Sequence, residues 1–172
     1  MPRNLRLSGC LLAIALVGCQ ASAGGGGARQ QNQGVARWSG SFKQSQMAAS
    51  AVVGPATPNS AAAFGSITVT PVEGAPNRAR VELSISAPMA NGRQLAWALF
   101  TGSCGAPTPP LAGPNEFPLI DIGNNGSGMV RTTMSITLEP HSDHHANVYQ
   151  SGRVSDVSNV LMCANLAYSG AR

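Results

Sequence analysis

The sequence predicts an all-β domain, a Greek-key β-sandwich of about eight strands. Composition is the first reason. Only 10% of the 172 residues are charged and 5% are aromatic, whereas small, β-branched and turn-forming residues dominate the chain. This mixture is typical of short strands joined by many turns. The second reason is that short segments alternate apolar and polar residues, and no stretch shows helical periodicity of useful length.

The first 18 residues predict a secretory signal peptide, with Arg3 and Arg6 before an apolar run at residues 11–17. The sequence Leu16-Val17-Gly18-Cys19 then resembles the bacterial lipobox, in which a peptidase cleaves before a cysteine that carries a diacylglyceryl group. Cys19 is therefore the predicted lipidation site. The alternative is an ordinary signal peptide that happens to precede a cysteine.

Residues 19–35 predict a lipidated cysteine followed by a flexible tether rich in Gly and Gln, and residues 36–172 the folded domain. A linker of this length reaches about 20 Å, so the domain is expected to stay close to one membrane surface. We expect it in the cell envelope, facing the periplasm or the cell surface. The sequence leaves open whether the inner or the outer membrane holds it.

The first four predicted strands follow in order. Residues 38–43 alternate apolar and polar side chains, as in a half-buried strand. Residues 64–71 and 81–86 show the same alternation on either side of a turn signal at 73–77, and they predict a hairpin. Residues 95–100 are apolar on both faces, which places that strand mid-sheet or beneath a loop.

The second half of the domain begins with a long connection. Residues 105–118 contain five prolines and predict a stiff loop, a feature that is often functional at such length. Residues 119–122 and 129–138 predict a second hairpin around a turn at 123–126. Residues 140–145 predict a loop, and residues 147–150 and 160–166 predict the two final strands.

One pattern resembles a known family. A Gly-x-Cys turn, Gly102-Ser103-Cys104, follows the apolar strand, and Cys163 lies in the final strand. This arrangement resembles the copper/zinc superoxide dismutase-like sandwiches, including secreted and lipid-anchored bacterial members. The resemblance implies the fold and a Cys104–Cys163 disulfide. Export gives a second reason for this bond over two free thiols, because only two cysteines remain after cleavage and lipidation.

The metal chemistry of that family is not expected here. In its metal-binding members the strand before the Gly-x-Cys turn carries His-x-His, and a later strand carries a further histidine. The corresponding stretches in this chain are Trp97-Ala98-Leu99-Phe100 and Asn147-Val148-Tyr149-Gln150. Because these side chains are poor metal ligands, we predict no cofactor at those positions.

All three histidines, His141, His144 and His145, lie close together in the sequence with Asp143 among them. Such a tract can bind Cu(II), Ni(II) or Zn(II). Three ligands on a loop are not preorganised, however, so an ordinary polar loop is the preferred interpretation. Serine–histidine catalysis is also unsupported, because the chain has no Gly-x-Ser-x-Gly elbow. No pair of carboxylates stands out either, and the sequence predicts a protein that is not an enzyme.

Nucleic acid is not an expected partner. Once Arg3 and Arg6 leave with the leader, nine basic residues face seven acidic ones, and the arginines are scattered singly. The predicted partners are membrane lipid, through acylated Cys19, and an envelope or integral membrane protein.

The sequence thus predicts a lipid-anchored interaction or accessory module. Its predicted contact surface is the proline-rich loop at residues 105–118, with Pro107, Pro110 and Phe117, and the 141–145 loop is a second candidate. Phe117 is the aromatic residue expected to be exposed there, and the alternative is that it is a lid over the core. Two alternatives remain open. One is metal handling or superoxide dismutase-like activity that uses His141, His144 and His145. The other is ligand or glycan binding beside Phe117.

Overall fold

The computed structural model describes residues 35–45, 62–154 and 157–170. The predicted signal peptide, the lipidation site Cys19 and nearly all of the tether lie outside these residues. The described part contains nine strands: β1 (Arg37–Gln44), β2 (Phe64–Val72), β3 (Ala75–Ser86), β4 (Gln94–Leu95), β5 (Trp97–Thr101), β6 (Ile120–Asp121), β7 (Ser127–Met134), β8 (His144–Tyr149) and β9 (Val160–Ser169). Three single-turn 3-10 helices interrupt them, at Pro88–Ala90, Pro114–Glu116 and Val157–Asn159. The predicted all-β class is confirmed.

Seven of these strands form one curled antiparallel sheet with the order β5-β8-β9-β1-β2-β3-β7, and β4 and β6 form a small second sheet. The predicted hairpin is confirmed as β2 and β3, which pair from Phe64↔Ser86 onwards. The predicted strand at 95–100 is divided between the two sheets at Ala96. Its first part pairs with β6 and its second part with β8.

The prediction that residues 119–122 and 129–138 form a second hairpin is wrong. A turn does form, with Gly123 N–H donating to Ser127 O at 3.0 Å, but β6 pairs with β4 and β7 pairs with β3. Gly128 shows the physical reason, because a Cβ placed there would lie 2.6 Å from the side chains of Ile120 and Ile122. These isoleucines lie against the backbone of β7, so the two strands meet face to face and not edge to edge.

The core is built from the buried face of each strand. β3 is a clear example, since Ala79, Val81, Leu83 and Ile85 are buried while the residues between them are exposed. β5 and β8 differ from this pattern because they are buried on both faces, from Trp97 to Phe100 in β5 and throughout β8. A second layer must therefore cover their outward face. No helix among the described residues is long and apolar enough to cross a membrane.

Candidate functional site

The covering layer is the connection between β5 and β6, residues 102–119, which we call the proline-rich loop. It begins at the disulfide between Cys104 and Cys163, so that predicted bond is confirmed. Gly102 and Gly105 flank Cys104 with φ values of 81° and 91°, a conformation that side chains disfavour. Cys104 N–H also donates to Asn165 Oδ1 at 2.7 Å. The start of the loop is thus held on β9 by a covalent bond and a hydrogen bond.

The middle of the proline-rich loop is hydrogen-bonded to the edge of β5 that does not pair with β8. Leu111 N–H donates to Leu99 O at 2.8 Å, and Thr108 Oγ1 donates to Thr101 O at 2.7 Å. Pro110 forms an isolated bridge with Phe100. The loop therefore satisfies backbone groups that an edge strand would otherwise leave open to another chain.

Phe117 is a lid over the core, and its interpretation as an exposed contact residue is wrong. Phe117 is only 4% exposed, and its ring packs edge-on against Trp97 with the centroids 5.0 Å apart. Trp97 Nε1–H donates to Pro118 O at 2.7 Å, which fixes the end of the loop. Phe117 is buried because the fully buried indole needs an apolar neighbour and one hydrogen-bond acceptor, and adjacent loop residues supply both. Four of the five loop prolines, Pro107, Pro109, Pro114 and Pro118, are among the exposed residues of the loop, and Pro110 is half-buried.

The histidines do not share one loop, so that expectation is also wrong. β8 begins at His144, and His144 and His145 are 2% and 0% exposed, whereas His141 lies exposed before the strand. Consecutive strand residues point to opposite faces, so the imidazoles of His144 and His145 are directed apart. Within residues 35–45, 62–154 and 157–170, no group of three or more His, Cys, Asp or Glu side chains is arranged to hold a metal ion.

His145 lies under the start of the proline-rich loop. Its ring stacks on Phe100, its cross-strand partner, with the centroids 5.0 Å apart and the planes 15° apart. Nδ1–H donates to Gly102 O at 2.9 Å, while Nε2 is buried without a hydrogen-bond partner among the described residues. Burial lowers the pKa of His145, a hydrogen bond to Gly102 opposes this, and nearby His144 lowers the pKa further. His145 is therefore held neutral.

Sequence reasoning missed this role of His145 because it started the strand at Asn147. The apolar residues Ala146 and Val148 already alternate with His145, Asn147 and Tyr149, and that alternation was the signal that could have extended the strand backwards. Asn147 and Tyr149 lie on the same face as His145 and are also buried. Burial raises the pKa of Tyr149, with a hydrogen bond from Asn147 acting against it.

A groove of about 710 Å³ runs beside the disulfide. Lys43 supplies its one cationic lining residue, and the amides of Asn147 and Asn165 lie on the neighbouring strands. Lys43 is the register partner of Cys163, so the two residues lie opposite each other on neighbouring strands and both line the groove. Amides, hydroxyls and one cation can hydrogen-bond a polar partner, but they do not form an acid–base pair or an activated nucleophile.

The neutral state of His145 predicts a pH dependence of stability. The pKa is lowered in the folded protein, so below about pH 6.5 the unfolded chain binds more protons than the folded chain. The free energy of unfolding should therefore decrease as the pH falls from 6.5 towards the lowered value, and level off below it. Urea unfolding between pH 7.5 and 5 measures this decrease, and His145→Gln should flatten it. An equal slope in wild type and variant would contradict the prediction.

No protein-family model, curated protein or solved structure matches this chain.

Proposed function

We propose that this chain is a non-catalytic, lipid-anchored module of the cell envelope that holds a partner protein at the proline-rich loop and the adjacent groove. The observation that carries the proposal is the anchoring of the loop. The disulfide, the Asn165 hydrogen bond, the bonds to β5 and the buried Phe117 hold an exposed loop in one conformation. Binding to a preorganised surface loses less conformational entropy than binding to a mobile one.

The exposed surface of the loop suits a protein partner. Proline side chains have little conformational freedom to lose when they are covered. Leu119, which is 38% exposed, adds an apolar contact at the far end of the loop. The groove beside Cys104 offers amide and hydroxyl groups for hydrogen bonds at the other end. Many protein interfaces likewise combine apolar side chains with polar groups at their border.

The location is the second part of the proposal. The basic start, the apolar run and the lipobox-like sequence ending at Cys19 occur in the order that a lipoprotein precursor requires. Residue 35 begins the described domain only 16 positions after Cys19. Lipidation would thus keep the loop near membrane proteins and raise its effective concentration towards them.

The proposal includes a relationship to the copper/zinc superoxide dismutase-like sandwiches. The Gly-x-Cys turn bonded to the last strand supports it. His145 adds support, because it lies on the later strand and on the same face as Ala98 and Phe100. Ala98 and Phe100 stand where the family's His-x-His would lie, and neither side chain ligates a metal. A single histidine does not make a metal site, so we propose the fold of that family without its metal chemistry.

Site-specific crosslinking in intact cells tests the proposed function. A photoreactive residue at exposed Pro109 should give one dominant crosslinked envelope protein, and one at exposed Pro76, next to the β2–β3 turn, should not. Pro107→Gly combined with Pro114→Gly, two other exposed prolines of the loop, should weaken that crosslink about fivefold or more, because the loop loses its stiffness. Pro76→Gly is the matched control. Equal crosslinking from both positions would contradict the proposal, and Cys19→Ala should reduce crosslinking by removing the anchor.

A further inference from the structure

The outward face of β1, β2, β3 and β7 carries a layer of side chains of which the proposed partner site uses only Ser41 and Lys43, at the edge of the groove. Strand alternation directs one residue in two to this face, which we call the basic face. Two rows of register partners cross these four strands. One row consists of Ser41, Ser66, Ser84 and Met129, and the next consists of Ser39, Thr68, Glu82 and Arg131. Short hydroxyl side chains rise little above the strands and allow another surface to approach this face closely.

Positive charge is concentrated on the basic face. Five of the seven basic residues in the described part of the chain belong to it or to its strand ends: Arg37, Lys43, Arg78, Arg80 and Arg131. The acids there are Glu73, in the β2–β3 turn, and Glu82, which lies 3.8 Å from Arg131. The other described charges are two arginines and four carboxylates: Arg93, Arg153, Glu116, Asp121, Glu139 and Asp143. The domain is therefore electrically polarised.

Two arginines of the basic face are placed to share one anion. Arg80 is the register partner of Thr70, and Arg37 lies one residue beyond the Trp38↔Val69 pair, on the other side of Thr70. Their Cα atoms are thus two strands apart, about 10 Å. Both side chains are exposed. Guanidinium groups on long side chains can converge over this distance, and their planar donors match a phosphate.

The chain connects this end of the sheet to the predicted membrane anchor. Arg37 is the first residue of β1, and it follows the segment that begins at Cys19. Exposed apolar side chains accompany the cations, since Val35, Phe64 and Met129 are 72%, 61% and 59% exposed. Phe64 and Met129 lie on the basic face, opposite Ser86 and Ser84. Cations beside exposed apolar groups suit the headgroup layer of a bilayer.

We propose that the basic face lies on the surface of a membrane that contains anionic lipids. Arg37 and Arg80 contact lipid phosphates, and Phe64 and Met129 enter the headgroup layer. The start of the proline-rich loop at Cys104 adjoins Lys43 of this face. The orientation leaves the middle of the loop accessible, because the middle lies along β5 at the other end of the sheet order. The inference rests on the proposed lipid anchoring for its location, since the anchor brings this face to the bilayer.

Vesicle co-sedimentation of the unlipidated chain that starts at residue 20 tests the inference. This chain keeps the whole core, which lies between Trp38 and Leu166, and it lacks the apolar leader and the acyl group. We expect binding to phosphatidylcholine vesicles that contain phosphatidylglycerol, weaker binding as salt is raised, and little binding to phosphatidylcholine alone. Arg37→Gln combined with Arg80→Gln should weaken binding about tenfold or more.

The matched control is Arg93→Gln combined with Arg153→Gln, which removes the same net charge away from the basic face. Equal weakening by both pairs would overturn the proposal, because net charge alone would then explain binding. Binding that does not depend on the phosphatidylglycerol content would also overturn it, because insertion of apolar side chains and not contact with anionic lipid would then explain binding. Thermal unfolding of each variant shows that it is folded. Crosslinking at Pro109 is measured separately, so the failure of one proposal can be distinguished from the failure of the other.

Discussion

Removal of the Cys104–Cys163 disulfide is expected to lower the free energy of unfolding by about 4 kcal/mol, because it restores the chain entropy of a loop of 59 residues in the unfolded state. For a domain of this size the melting temperature should fall by roughly 10–20 °C. Cys104→Ala combined with Cys163→Ala removes the bond without leaving a free thiol. Urea unfolding of the oxidised wild type and the double variant measures the difference.

Reducing agent provides the internal control for this experiment. Reduced wild type should unfold at nearly the same urea concentration as the double variant, and reductant should leave the variant unchanged. A variant as stable as the oxidised wild type would show that hydrogen bonds and packing alone hold the loop on β9. Loss of the crosslink from Pro109 in the double variant would show in addition that partner binding depends on the fixed loop.

Phe117→Ala is expected to destabilise the domain by about 3 kcal/mol or more, the usual loss when a buried aromatic ring is removed from a core. The ring is 4% exposed and packs on Trp97, whose indole donates to the next residue in the loop. Removal of the ring leaves a cavity beside that hydrogen bond. Urea unfolding measures the loss, and the emission of the folded variant, to which Trp38 and Trp97 both contribute, should shift to longer wavelength as water reaches the Trp97 indole.

Two variants are controls for Phe117→Ala. Phe117→Leu retains most of the apolar volume, so it should be destabilised clearly less. Pro107→Ala changes an exposed residue of the same loop and should leave the unfolding free energy nearly unchanged. If Phe117→Ala lowered the free energy of unfolding no more than Pro107→Ala, the aromatic ring would not be part of the core. Phe117 would then be interpreted again as an exposed contact residue.

The disulfide and Phe117 matter for the same functional reason. The disulfide holds the start of the proline-rich loop and Phe117 holds its end, while Leu111 and Thr108 bond its middle to β5. A change at either end should loosen the exposed prolines between them. The proposed partner should therefore bind both destabilised variants less tightly, even though neither change alters an exposed proline.

The sequence by itself determined the properties that depend on neighbouring residues. Alternation in residues 81–86 predicted the buried face of β3, and the turn signal at 73–77 predicted its hairpin with β2, because side chains in a strand alternate regardless of what lies beyond. The apolar residues on both faces of β5 predicted a covering layer. The Gly-x-Cys turn and the cysteine of the final strand predicted the Cys104–Cys163 bond through a family resemblance, and the predicted export was a second reason for it.

Only the tertiary structure decided which distant segments meet. The turn at 123–126 reverses the chain, but the contact of Ile120 with the backbone of Gly128 made β6 pair with β4. Phe117 is buried because Trp97 lies beneath it. His145 is buried because the proline-rich loop covers β8. Scattered arginines formed a basic face only once β1, β2 and β3 were placed in register, since their spacing in the sequence carries no record of strand order.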